Sequence, residues 1–211
     1  EDIATFPIPP KVGGRFSVLS AVGLMPAALA GVDIKGLMAG AKAMRDLLKK
    51  TKGPKNPSLA LAVAQYELDR RHGKPMTVMM PYANALFRVA DWYRQLLAES
   101  IGKNEKTGPT PINALGTTDQ HSQLQLWNEG PNNKFFIFLR LRKFARDLVI
   151  GKLPGEMTFL SGKRLSAVMD AAVQGTVASL AKNGRPVVSL ELDRLDAKTL
   201  GALFMLFEVQ V

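Results

Sequence analysis

The stretch Met76–Glu99, "MTVMMPYANALFRVADWYRQLLAE", carries two different periodicities side by side. Met76–Met80 is a short apolar run of the kind that fills a buried strand. From Ala85 onward the apolar positions Leu86, Val89, Ala90, Tyr93 and Leu97 recur at helical spacing, so Ala85–Glu99 reads as an amphipathic helix. The same alternation continues in both directions. Short apolar runs at Phe16–Leu19, Phe135–Leu139 and Val187–Leu192, with a weaker one at Ile112–Leu115, read as further strands. Ser166–Lys182 repeats the helical pattern through Val168, Met169, Ala172, Val173, Thr176 and Leu180, and Asn183-Gly184 behind it is a helix stop. Leu200–Val209 reads as a final helix, and Lys49–Pro57 as a surface loop between two others. Strand, helix, strand in succession predicts an α/β fold: a three-layer α/β/α sandwich around a central, mainly parallel sheet of about five strands. Ligands in such folds bind at the carboxyl ends of the strands.

Composition narrows the class without naming it. A chain of 211 residues, 46% hydrophobic and 22% charged, is ordinary for a globular protein. With no cysteine there is no disulfide and no thiolate metal site, which suits a reducing cytoplasm. The longest apolar run, Phe16–Val32, is interrupted by Ser20, Gly23, Pro26 and Gly31 and makes a poor membrane span. A net charge of +10 is compatible with nucleic acid, anionic membranes or phosphorylated small molecules. The basic residues are dispersed, however. The densest groups, Arg45–Lys55 and Arg140–Arg146, lie among Asp46, Asp147 and apolar positions, as on solvated helix faces, without interleaved aromatics. Neither a nucleic-acid nor a membrane partner is expected.

Candidate chemistry is sparse. His72 follows Arg70 and Arg71 at the end of a predicted helix, where a cation complements the dipole and a structural role suffices. His121, in "GTTDQHSQLQLW", falls in the first turn of a helix that Thr118 or Asp119 can cap. An imidazole there suits proton shuttling or a hydrogen bond to a hydroxyl, and position alone equally allows a buried or capping histidine. Glu99 lies at the carboxyl end of its helix, where the dipole disfavours a carboxylate. That placement suits a general base, although an ordinary surface glutamate fits as well. Arg15 follows Gly13-Gly14, whose backbone permits close approach of a ligand. Its guanidinium can hold an oxyanion, or simply be solvated beside a tight turn. There is no zinc spacing, P-loop or nucleophile elbow.

Order and surroundings say more than these residues singly. "VGGRFSVLSAVGL", Val12–Leu24, resembles the first signature of the phosphoglucose isomerase family. "MPYANALFRVADWYRQLLAESIGK" looks like its catalytic-glutamate segment, "GTTDQHSQLQLWNEGP" like its histidine segment, and "NGRPVVSLELDRLDAKTLGALFMLFE" like its late strand–helix unit. The blocks follow family order across nearly the whole chain. The resemblance implies interconversion of glucose 6-phosphate and fructose 6-phosphate, in glycolysis and gluconeogenesis, by ring opening and proton transfer between C1 and C2 through a cis-enediol, with no metal or organic cofactor. It assigns Glu99 as the base, Arg15 as the cation over the enediolate, Gln95 and Gly14 to substrate binding, and His121 to ring chemistry, reaching the neighbouring active site of a homodimer. The account requires the side chains of Glu99 and Arg15 to converge.

The likeness covers the second sugar-isomerase (SIS) domain of the family only. Neither the first domain, with its serine- and threonine-rich phosphate loop, nor the terminal signature with the ring-opening lysine has a counterpart. The expectation is therefore a piece of a longer protein: an arm or linker over 1–10, then a SIS-like domain over 11–211 that stops short at its carboxyl end. Alone, it is expected to fold and be nearly inactive. The alternative is a non-catalytic sugar-phosphate-binding module, for which a retained base has no use.

Overall fold

A computed structural model describes residue 3 and residues 5–211; residues 1, 2 and 4 of the expected arm lie outside the described residues. Seven α-helices and four strands follow one another along them: α1 Ala21–Leu29, α2 Ile34–Lys50, α3 Pro57–His72, β1 Met76–Pro81, α4 Phe87–Ile101, β2 Thr110–Asn113, α5 Thr118–Glu129, β3 Lys134–Lys143, α6 Leu165–Lys182, β4 Val187–Arg194 and α7 Ala197–Gln210. The chain separates into two compact units, one of Glu1–Glu67, Gln95–Gly108 and Asp196–Val211, the other of Leu68–Arg94 and Pro109–Leu195.

The second unit holds the sheet. Its strands run in the order β2-β1-β3-β4, all parallel, with Met76 opposite both Thr110 and Lys134, and Phe136 opposite Val187. The two inner strands are buried almost without break, from Thr77 to Pro81 and from Lys134 to Leu139. This is why they read as continuous apolar runs rather than alternating ones. Val78, Met80, Phe136 and Phe138 share one face and form a core with Tyr82, Trp127, Val173 and Leu180. Trp127 meets the Phe136 ring edge-on at 5.1 Å. A polar knot closes this core: Tyr82 Oη donates to Thr176 Oγ1 at 3.0 Å, and Gln120 Nε2 donates to Tyr82 Oη at 2.6 Å. Burial raises the proton affinity of the Tyr82 hydroxyl.

Four strands, not five, make the sheet among the described residues. The missing one is Phe16–Leu19, which lies in a 3-10 turn over Gly14–Leu19 in the first unit. The run is short and apolar, a pattern that periodicity alone cannot assign to strand or turn. Local hydrogen bonds decide for the turn: Ser17 Oγ donates to the Gly14 carbonyl at 2.6 Å and Ser20 Oγ to the Ser17 carbonyl at 2.7 Å. Side chains of this type bend the backbone back on itself in competition with a ladder.

The first unit is helical. α2 begins at Asp33, whose carboxylate accepts the Gly36 N–H at 2.8 Å, and buries Leu37, Gly40, Ala41 and Leu48. α7 begins at Asp196, which accepts the Thr199 N–H at 2.8 Å. It buries residues on most of its circumference, Gly201, Leu203, Phe204, Leu206, Phe207 and Gln210, as a helix apolar all round must. α2 and α7 touch through glycine. A Cβ at Gly40 would stand 1.8 Å from the Lys198 carbonyl, and one at Gly201 would stand 1.9 Å from that of Leu37. Ser58 Oγ ties α3 to the Leu206 carbonyl at 2.7 Å, and Gln210 Nε2 donates to Gln65 Oε1 at 2.6 Å.

The basic group Arg140–Arg146 begins on a strand rather than on the solvated helix face expected of it. Along β3, Arg140 meets Asp170 and Glu191, Arg142 meets Glu191, and Lys143 meets Asp193. Among the described residues no helix is long and apolar enough to cross a membrane.

Candidate active site

The site is assembled from two segments of the first unit that are far apart in sequence. Gly13, extended at its N-cap position, leads into the 3-10 turn that carries Arg15. The turn aims the guanidinium rather than leaving it to solvent: its centre lies 4.8 Å from the Phe16 ring centroid, and Nε donates to Ser100 Oγ at 2.8 Å. Stacking on an aromatic face plus one directed hydrogen bond fixes the plane of the group, which a lysine could not reproduce. A Cβ placed on Gly14 would meet nothing within 4 Å, so the exposed space beside Arg15 is open.

α4 supplies the acid. Its last turn closes with Gly102 N–H donating to the Ala98 carbonyl at 2.9 Å, and Lys103 Nζ donates to the carbonyl of Glu99 itself. A cation on the last carbonyls is the ordinary complement of a helix end. Leu96 and Leu97 are fully buried, whereas Gln95 and Glu99 are exposed. Spaced i to i+4, those two stand one above the other, and Gln95 Nε2 donates to Glu99 Oε1 at 2.9 Å. The other carboxylate oxygen, Oε2, lies 3.6 Å from Arg15 Nη1. The half-exposed carboxylate thus has one oxygen held by a neutral donor and the other facing a cation.

The structure therefore brings Arg15, Gln95 and Glu99 together, with Gly14 at the root of the arginine. His121 belongs to the second unit, exposed in the first turn of α5. Neither Thr118 nor Asp119 is the N-cap of that helix. The N-cap is Thr117, while Asp119 Oδ2 accepts the Leu115 N–H at 2.7 Å and Oδ1 accepts from Ser122 Oγ at 2.7 Å. His72 is the exposed last residue of α3. Sequence reasoning missed Ser100 and Phe16. Nothing distinguishes a serine after a glutamate as a partner for an arginine 85 positions earlier, and Phe16 reads locally as a strand residue.

Chemically, a carboxylate beside a guanidinium can accept a proton from carbon while the cation meets the oxyanion that forms. An exposed ion pair of this length adds little to stability, so its presence fits chemistry better than folding.

Comparison with known proteins agrees in extent as well as kind. The family model described as phosphoglucose isomerase matches residues 1–211. The glucose-6-phosphate isomerase of Rubrobacter xylanophilus is 43% identical over 216 residues, covering 100% of this chain and 49% of that protein. That of Carboxydothermus hydrogenoformans is 42% identical, covering 99% and 47%. Among solved structures, a hypothetical protein from Thermus thermophilus superposes with a TM-score of 0.85 at 32% identity, over 96% of this chain and 49% of that one. A glucose-6-phosphate isomerase from Chlamydia trachomatis gives 0.83 at 23% identity, over 97% and 43%, a likeness of fold alone. The chain spans about half the length of the curated relatives it matches.

Proposed function

Because the chain belongs to the phosphoglucose isomerase family, we propose that it carries the proton-transfer centre of an enzyme interconverting glucose 6-phosphate and fructose 6-phosphate. The observation that carries this reading is the pairing of Glu99 with Arg15 at 3.6 Å, with Gln95 on the second carboxylate oxygen. Glu99 takes the proton from C2 of the open-chain aldose and returns it to C1. Between those transfers the electron pair rests on an enediolate oxygen, and Arg15 faces that charge. One carboxylate suffices because the same proton is taken and given back. Gln95 holds the Glu99 carboxylate and contacts a substrate hydroxyl, and Gly14 leaves room for the sugar beside Arg15. Ser100 and Phe16 are positioning residues: they touch Arg15 and fix the guanidinium plane.

His121 assists ring opening and, in a homodimer, does so in the partner's site. The setting is cytoplasmic sugar-phosphate metabolism, in glycolysis and gluconeogenesis. Because the chain spans half of its relatives, the groups that bind the phosphate are assigned to polypeptide beyond it.

The test is isotope exchange. In a protein of the relatives' full length, Glu99→Gln is expected to slow solvent-proton exchange at C2 by about 10²–10⁴-fold, with sugar phosphate still bound. Undiminished exchange in that variant removes Glu99 from its role.

A further inference from the structure

Three neighbouring parallel strands of the second unit each begin with a cation. Lys74 precedes Pro75 and β1, Lys134 is the first residue of β3, and Arg185 precedes Pro186 and β4. Since the sheet order places β1, β3 and β4 side by side, the three charges are gathered at one end of the sheet. They are anchored by neutral oxygens of the last turn of α5 and the segment between it and β3. Lys74 Nζ donates to the Asn132 carbonyl at 2.6 Å, and Lys134 Nζ to Asn133 Oδ1 at 2.7 Å. Arg185 Nη2 donates to the carbonyls of Asn128 and Gly130 at 2.6 and 2.9 Å.

None of the ion pairs among the described residues includes Lys74, Lys134 or Arg185. Arg185 Nε is buried without an acceptor, and Lys134 is only 8% exposed. Burial first, and the nearby Arg185 charge second, lower the proton affinity of both lysines. Partly buried like charges held together repel one another, and a bound anion relieves that repulsion. Beside them lies an open recess of about 370 Å³, lined by His72, Lys74, Gly184 and Arg185 among others.

We propose that this recess, at the amino ends of β1, β3 and β4, binds a small phosphate-bearing polyanion. Lys74 and Arg185 contact it, Lys134 adds its charge from the neighbouring strand start, and His72 stands at the rim. Pyrophosphate is the simplest such polyanion, since Lys74 and Arg185 come from different strand starts and each can take one phosphate.

Isothermal titration of pyrophosphate into the 211-residue chain, at fixed low ionic strength, is expected to show saturable binding. Lys74→Gln is expected to weaken it about tenfold, while Lys163→Gln, which removes an exposed lysine elsewhere on the same unit, leaves it unchanged. Should Lys74→Gln fail to fold, amide shifts of the unaltered chain serve instead, with the largest pyrophosphate-induced changes expected at Lys74, Gly184 and Arg185. The absence of saturable heat, equal weakening by both variants, or amide shifts centred elsewhere would overturn the proposal.

Discussion

Single residues in this protein are defined by what lies against them more than by what they are. Glu99 and Glu208 are both helical glutamates near a carboxyl terminus, yet they do different things. Glu99 is exposed, with Gln95 and Arg15 on its two oxygens. Glu208 is half-buried in α7, and its Oε1 is buried without a hydrogen-bond partner. Burial pushes its carboxyl up to about 7. The folded state therefore holds that proton at pH values where the unfolded chain, near 4.5, has released it. Stability associated with Glu208 is complete at pH 4.5 and below, and is lost as pH rises through about 7. Discounted for a half-buried position, the loss is expected to be about 1–2 kcal/mol. Urea denaturation at about pH 5 and about pH 8 brackets that window. Glu208→Gln is expected to flatten the difference, and an unchanged pH dependence in that variant would acquit the residue.

At the scale of elements, helix boundaries are legible where a capping residue or a glycine signals them. Asn183-Gly184 ends α6 as its sequence predicts, with Gly184 at φ +67°, a conformation that costs a Cβ-bearing residue energy. The α6 face is legible too. Val173, Thr176 and Leu180 are buried, and Met169 and Ala172 pack against the same core. α7 starts three residues before its apolar pattern does, because Asp196 supplies the cap and the first turn is polar. Phe16–Leu19 misleads, since a four-residue apolar run carries too little periodicity to choose between strand and turn.

The contact of α2 with α7 leaves no trace that sequence reasoning could use. Two helical glycines usually only weaken helices, but Gly40 and Gly201 each face the partner's carbonyl at a distance no Cβ can occupy. Gly40→Ala is expected to destabilise the chain by about 2 kcal/mol despite the gain in helix propensity. Gly175→Ala, in α6, meets nothing within 4 Å and is expected to stabilise by about 0.5–1 kcal/mol. Chemical denaturation of both separates the two kinds of glycine. Equal effects would mean that α2 and α7 do not touch through their backbones.

For the molecule as a whole, the charge of +10 has several destinations rather than one. Part is neutralised along β3 by Asp170, Glu191 and Asp193, and part is gathered at the amino ends of the strands on neutral oxygens, outside the ion pairs of the described residues. The chain holds the proposed base and its cation but spans half the length of its relatives. Remote phosphate contacts orient the reacting carbon in sugar-phosphate enzymes. In a coupled isomerase assay the 211-residue chain alone is therefore expected to turn over at least roughly 10²-fold more slowly than a relative of full length. Normal turnover would place every necessary group within these residues.

Local sequence determined α4, α6 and α7, the inner strands and the family, because each depends on the order of residues within a short window: periodicity, caps and contiguous motifs. It also placed Gln95 and Glu99 together, since i to i+4 neighbours meet in any helix. It left α1 unread, since Ala21–Leu29 is apolar without a helical period. Only the tertiary structure decided that Arg15 reaches Ser100 and Glu99 from a turn rather than a strand, that α2 and α7 meet at two glycines, and that three strand starts share one pool of positive charge. Those outcomes depend on which distant segments the packing brings side by side, and no window along the chain contains both members of such a pair.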